Sequence, residues 1–158
     1  MSNIQEIDRI QSNPESNSIP HNTHVDGNFL VTSWYRDGTI VHDITNPNNL
    51  VQVAYYDSYT GSPSNQYQGD GFDGCWGTYP FLPSEIIISS EINSSNNQTA
   101  KLMIYERGFS GACYLEGNVT DASSGATIVG ANVVILNTTI ANASTTNLSG
   151  DYTSGNAD

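Results

Sequence analysis

Two histidines and an aspartate near the start of the chain could bind zinc. They are His21, His24 and Asp26, in the spacing His-x-x-His-x-Asp. A zinc site needs several such side chains converging on one point. Residues three apart on a strand point to opposite faces, so His21 and His24 would converge only across a bulge. The alternative is that these side chains form hydrogen bonds across neighbouring strands, as polar residues at tight turns often do.

A glycine-rich segment, Asp70-Gly71-Phe72-Asp73-Gly74, carries two carboxylates that could bind calcium. Carboxylates on such a loop suit a hard cation. The segment lacks the full EF-hand spacing and its terminal bidentate glutamate, so a simple polar loop is the alternative. Asp70 and Asp73 therefore join the three residues above as candidate metal ligands. Calcium is the possible ion, and no other cofactor is indicated.

The chain has two cysteines, Cys75 and Cys113, and neither belongs to a Cys-x-x-Cys pair. A zinc ribbon or a thioredoxin-like site is therefore not indicated. A disulfide between them would close a loop of 38 residues and would contribute about 4 kcal/mol in an oxidising compartment. We predict this disulfide, and two buried thiols are the alternative.

No complete catalytic constellation occurs in the sequence. There is no Gly-x-Ser-x-Gly motif of the kind that presents a nucleophilic serine. Glu85, Glu91 and Glu106 lie on or beside predicted strands, and nothing pairs two of them as an acid and a base. We expect these three carboxylates on solvated strand faces.

Aromatic residues are concentrated in the middle of the chain, where we expect most of them to lie between stacked sheets. A carbohydrate-stacking surface is the alternative for the same set. Its members are Trp34, Tyr35, Tyr55, Tyr56, Trp76, Tyr79 and Phe81.

Three turn signals indicate how these residues are positioned. They are Asp26-Gly27, Asp37-Gly38 and the Asn-Pro-Asn-Asn segment at 46–49. Asp-Gly between two β-type runs is a strong hairpin signal, because both turn residues must accept a positive φ. The turns divide the chain into four hydrophobic runs at 21–25, 28–36, 39–45 and 50–56. Four strands joined by three tight turns form an antiparallel meander, the size of one propeller blade.

Further strands are predicted downstream of a long polar loop at 57–74. One group comprises 75–79, 85–92 and 101–106. A second follows a composition shift at 108–111 and comprises 114–120, 131–137, 144–147 and 151–154. Several runs are apolar on both sides, which is typical of strands covered on both faces, as in stacked blades. The second group resembles a small antiparallel sandwich that stops early.

The charge balance limits the partners. Sixteen acidic residues against four basic ones give a net charge of −12, which repels nucleic acid and anionic membrane surfaces. No run of 18 apolar residues is present, so no membrane span is predicted. The first residues do not form a signal peptide. The chain is therefore either cytosolic or an internal piece of a longer secreted protein, and its composition favours the second.

Several phrases between residues 21 and 107 occur in an order that resembles a known family. They include Leu-Val-Thr-Ser-Trp-Tyr-Arg-Asp-Gly at 30–38, His-Asp-Ile-Thr-Asn-Pro at 42–47 and Gly-Cys-Trp-Gly-Thr-Tyr-Pro-Phe-Leu-Pro-Ser at 74–84. Together they resemble the last units of the LVIVD-repeat, choice-of-anchor B family of secreted bacterial surface proteins. The chain departs from the family pattern after Pro83-Ser84 and in a polar insertion at 93–100.

A second resemblance covers residues 114–152. Tyr-Leu-Glu-Gly-Asn-Val-Thr-Asp at 114–121 and Thr-Thr-Asn-Leu-Ser-Gly-Asp-Tyr at 145–152 resemble phrases of a carboxypeptidase regulatory-like domain. That domain is a small transthyretin-like β-sandwich, and it normally continues for several more strands. The resemblance implies a non-enzymatic accessory module of an exported protein.

The sequence predicts an all-β chain with partial propeller-like blades at 1–108 and a truncated transthyretin-like or Ig-like sandwich at 113–158. The predicted function is a secreted or cell-surface, non-catalytic binding or structural module. Its partner would be a surface polymer, a surface protein, or a copy of itself joined through open strand edges. The alternative is a fragment of an extracellular hydrolase or of a metal-dependent propeller enzyme.

Overall fold

The computed structural model describes residues 3–12, 17–59, 72–92, 100–138, 140 and 142–157. Within these ranges the chain forms eleven strands, all paired antiparallel, and no helix. The predicted all-β class is confirmed. No helix in the described ranges has the length and apolar character needed to cross a bilayer.

The first sheet is a meander in which strands adjacent in sequence pair with each other. Its strands are β1 (Thr23–Asp26), β2 (Phe29–Ser33), β3 (Thr39–Asp43) and β4 (Val51–Tyr56). Gly38 in the second turn has a φ of 80°, and a Cβ there would lie 2.1 Å from the Tyr56 carbonyl oxygen. Only glycine fits at this position. Asp37 beside it does not have a positive φ, so the expectation of a positive φ at both residues of the Asp-Gly pair holds for the glycine alone.

The second sheet is a three-stranded meander. Its strands are β5 (Gly74–Tyr79), β6 (Ile87–Ile92) and β7 (Lys101–Tyr105), with β6 in the middle. The strand register shifts between Cys75 and Gly77, which marks a bulge in β5. Bulges re-aim side chains locally, and Trp76 at this bulge is exposed.

The core lies between the two sheets. Val31, Val41 and Val53 of the first sheet pack with Ile87 of the second, and all four are at most 5% exposed. Each fully buried side chain of this size contributes about 1.5–3 kcal/mol of transfer free energy. All five residues of β3 are buried, so both faces of this strand are covered.

The last four strands form two separate two-stranded ladders. β8 (Ala112–Asn118) pairs with β11 (Asp151–Ala157), and β9 (Asn132–Val134) pairs with β10 (Ala143–Thr145). The four strands predicted in this region are all present, with shifted ends.

Contacts join this last region to the first sheet. Asn49 donates its side-chain N–H to the Ser154 carbonyl at 2.8 Å. Gly155 lies against Val51, where a Cβ on residue 155 would be 2.6 Å from Val51 Cγ2. The division into units at 1–108 and 113–158 stays a prediction, and β11 packs directly on β4 across that division.

The predicted disulfide between Cys75 and Cys113 is wrong. Cys75 is fully buried in β5, where its Sγ lies 3.4 Å from Thr39 Oγ1. Cys113 is exposed on β8, and the two sulfurs are not bonded to each other. A disulfide requires Cβ atoms about 4 Å apart, whereas one of these cysteines belongs to the buried side of the second sheet and the other to the surface of the β8–β11 ladder.

Candidate functional site

Two of the predicted metal ligands form ion pairs with arginine. Asp26, at the end of β1, accepts a hydrogen bond from Arg107, which also donates to the Pro80 carbonyl. Asp73, just before β5, lies 2.6 Å from Arg36, and both side chains are buried. These pairs link the ends of strands in different sheets.

The two predicted histidine ligands contact aromatic rings. The His21 ring lies 4.5 Å from the Trp76 ring and 5.4 Å from the Tyr35 ring, centroid to centroid. The His24 ring lies edge-on to Phe81 at 5.6 Å. The two histidines therefore meet different ring clusters, which agrees with the opposite orientations expected from strand geometry.

The structure does not gather these residues into one group. Within the described ranges, no three His, Cys, Asp or Glu side chains are placed to hold a metal ion together. Asp70 lies outside the described residues. The proposed zinc and calcium sites therefore stay predictions, and the roles visible for Asp26 and Asp73 are ion pairs.

The sequence reasoning did not assign a role to His42, which is 2% exposed in the centre of the first sheet. Burial lowers the pKa of His42 to about 4, against a smaller opposing effect of Asp8. His42 is therefore neutral at pH 7. Its position in the fully buried strand β3 makes it a core residue of the sheet.

The three glutamates expected on solvated faces differ from one another. Glu85 and Glu106 are exposed, as expected. Glu91 is only 5% exposed, so the expectation is wrong for this residue. Its carboxylate lies 3.9 Å from the Lys101 ammonium. Burial raises the pKa of Glu91, and Lys101 partly offsets that effect.

Three aromatic residues of β5 and the following loop are exposed, and we call this set the ring strip: Trp76, Tyr79 and Phe81. Each is 43–45% exposed. Tyr79 and Phe81 contact each other at 5.4 Å between ring centroids. Five of the seven aromatic residues expected mostly in the core are about half exposed, because only Trp34 and Tyr35 are buried.

The second sheet has one covered face and one uncovered face. Strand register places Tyr79, Ile88 and Ile104 side by side, with Gly77, Ser90 and Leu102 in the next row. This surface, the outer face, points away from Ile87 and the core. Leu102 is 66% exposed and Ile104 65%.

The outer face meets an open strand edge. β7 pairs with β6 on one side, and within the described residues no strand pairs with its other side. The outer-face residues carry no charged side chain in a protein with a net charge of −12. An uncharged apolar face beside an open edge is a typical site of protein association.

No family model, curated protein or solved structure matches this chain. The resemblances described above stay predictions, and the functional interpretation depends on the geometry of this chain.

Proposed function

We propose that the chain is a non-catalytic, secreted or surface-exposed binding module that associates with a second copy of itself through the outer face and the edge of β7. One observation carries the proposal: Leu102 and Ile104 are about two-thirds exposed on an edge strand. By contrast β3, an interior strand of the first sheet, is buried at every position. The LVIVD resemblance supports a bacterial surface setting.

Charge limits the way in which two copies can meet. Two copies with a net charge of −12 each repel one another, and this repulsion is weakest when the surfaces that meet carry no charged side chains. The outer face is such a surface. An antiparallel pairing of the two β7 strands about Met103 would place Leu102 opposite Ile104 of the second copy, and it would give the closed two-fold symmetry common in dimers.

Sedimentation velocity over a series of concentrations tests this proposal. We expect the wild-type chain to form a dimer, and the double variant Leu102→Thr/Ile104→Thr to be monomeric while retaining its β-type circular dichroism spectrum. Threonine keeps strand propensity and removes apolar surface. The matched control is Leu136→Thr/Leu148→Thr, which removes two exposed leucines elsewhere and should leave the dimer intact. A wild-type chain that stays monomeric throughout the series would overturn the proposal.

The ring strip supports a second partner class, a surface polysaccharide. Exposed aromatic faces with a polar edge can pack against the apolar faces of sugar rings. Trp76 is exposed and Trp34 is buried, so Trp34→Phe would leave Trp76 as the fluorophore. Quenching of that fluorescence by a soluble polysaccharide, with no effect of the same polymer on the Trp76→Ala variant, is the expected result. No spectral change with any polysaccharide tested would remove this partner class.

A further inference from the structure

A cavity between the two sheets is separate from the outer face. It has a volume of about 300 Å³ and lies where β3 and β4 meet β6, β7 and the segment after β7. Ligand sites begin at about this size. A compound with one six-membered ring and a short side chain would fill it. The cavity is on the inner side of the second sheet, which is the opposite side from the outer face.

Aromatic side chains form part of the cavity lining. Its floor includes Val41 and Ile87, which belong to the buried core. Tyr56 and Tyr105 form one wall, with ring centroids 5.0 Å apart and an interplanar angle of 45°. Phe109 forms another and is held edge-on to Phe29 at 5.0 Å. Aromatic rings fixed by packing contribute affinity at low entropic cost.

The polar groups of the cavity favour a positively charged ligand. Glu106 is the one charged residue among the described lining residues, and it is exposed to solvent. None of the ion pairs described in the structure involves Glu106. The Tyr105 hydroxyl already shares a hydrogen bond with Ser89 Oγ at 2.8 Å. Tyrosine rings attract cations through their faces, whereas the protein's net charge of −12 disfavours an anion.

We propose that this cavity binds a small aromatic ammonium compound, with its ring against Tyr56, Tyr105 and Phe109 and its ammonium group at Glu106. Three probes of the same ring and similar length separate the contributions: 2-phenylethylamine, 2-phenylethanol and phenylacetate. The amine should bind most tightly, the alcohol more weakly and the carboxylate least.

Isotope-labelled protein titrated with each probe and followed by NMR gives the affinity and the location together. We expect the resonances of Tyr56, Tyr105 and Phe109 to shift. Glu106→Gln should weaken binding of the amine by about tenfold, the value of one lost charge pair in a partly desolvated site, and leave binding of the alcohol unchanged. Glu85→Gln makes the same charge change at an exposed position outside the cavity and should alter neither affinity.

A cavity-filling variant gives a second line of evidence. Ala54→Leu places extra carbon atoms in the cavity and should abolish binding of both the amine and the alcohol. Glu106→Gln changes an exposed side chain, so its result does not depend on whether Ala54→Leu folds. The proposal is overturned if no probe shifts the cavity resonances, if phenylacetate binds as well as the amine, or if Glu106→Gln and Glu85→Gln behave alike.

Discussion

Tyr114 donates its hydroxyl hydrogen to Asp43 at 2.9 Å, and this bond joins the first sheet to the β8–β11 ladder across 71 positions of sequence. The same carboxylate accepts hydrogen bonds from the backbone N–H groups of Ala112, at 2.8 Å, and Thr45, at 2.7 Å. Burial by itself would raise the pKa of Asp43, but the hydrogen bonds from Thr45, Ala112 and Tyr114 outweigh it and hold the pKa below its usual value. Asp43 is therefore the ionised centre of this junction.

Mutations of Asp43 and Tyr114 should each destabilise the chain, and their effects should not be additive. We expect Asp43→Asn to lower the free energy of unfolding by about 2 kcal/mol and Tyr114→Phe by about 1.5 kcal/mol, the range for hydrogen bonds to a charged group. The double variant should lose less than the sum of the two, because Asp43→Asn weakens the same hydrogen bond that Tyr114→Phe removes. Urea unfolding followed by circular dichroism measures all three, and Tyr79→Phe, a change on the exposed ring strip, is the control. Strict additivity would contradict a direct Asp43–Tyr114 interaction.

The effect of Asp43 should also depend on pH. A carboxyl whose pKa is lowered in the folded state stabilises the fold above its unfolded pKa, and this stabilisation is lost as the pH falls through the folded value. The difference between wild type and Asp43→Asn should therefore be largest near neutral pH and shrink as the solution becomes acidic.

The buried pair of Arg36 and Asp73 gives a second mutational test. Their side chains are 7% and 2% exposed, and Arg36 also lies over the Tyr59 ring at 5.1 Å. Asp73→Asn should lower the free energy of unfolding by about 3–5 kcal/mol, because it leaves the Arg36 charge buried without its carboxylate. Replacing both, as Arg36→Met/Asp73→Leu, should recover much of the loss.

A matched control uses the exposed pair of Arg9 and Glu6, which are 76% and 62% exposed. Glu6→Gln should leave the urea midpoint unchanged, because surface ion pairs contribute little. Equal effects of Asp73→Asn and Glu6→Gln would show that burial does not determine the contribution of the Arg36–Asp73 pair.

Local signals in the sequence predicted the strands, and long-range contacts decided the roles of the candidate site residues. Asp26-Gly27 and Asp37-Gly38 are turn signals that act within a few residues, so the meander could be predicted from them. Arg107 is 81 positions from Asp26, and no local pattern indicates that these two residues pair. A carboxylate that resembles a metal ligand in the sequence is therefore an ion-pair partner in the fold.

The sequence pattern also could not predict which sheet faces are exposed. β3 and β7 are both five-residue strands, yet β3 is buried at all five positions, polar residues included, whereas Leu102 and Ile104 of β7 are exposed. The difference depends on the position of each strand within its sheet and on what packs against it. Sequence periodicity gives the alternation of side chains along a strand, but it does not identify which sheet face is covered.

Because His42 is buried, we expect the folded chain to lose stability as the pH falls. Its folded pKa of about 4 lies below the ordinary value of 6.5, so the unfolded chain binds a proton in this range more readily than the folded chain. Stability from this residue is present above about pH 6.5 and falls as the pH decreases towards 4. The full effect is about 3 kcal/mol.

Urea unfolding at pH 7 and at pH 5 measures this effect, with His42→Gln as the comparison. Glutamine cannot titrate, so the free energy of unfolding should differ less between pH 7 and pH 5 in the variant than in the wild type. Glu91 works in the opposite direction, because burial raises its pKa. A Glu91→Gln background should therefore make the net loss of stability on acidification larger. An unchanged pH response in His42→Gln would contradict the assignment.

The two cysteines should differ strongly in their reaction with a thiol reagent. Cys113 is exposed, and Cys75 is fully buried. Burial also raises the pKa of the Cys75 thiol, with smaller effects from its neighbours, so little reactive thiolate forms there at neutral pH. Mass spectrometry of the native protein after brief treatment with iodoacetamide should show one adduct, at Cys113. Cys113→Ser should remove it, Cys75→Ser should keep it, and both wild-type cysteines should react in urea. Native protein that gains adducts only after reduction would instead require a disulfide and would contradict the separation of Cys75 and Cys113 in this fold.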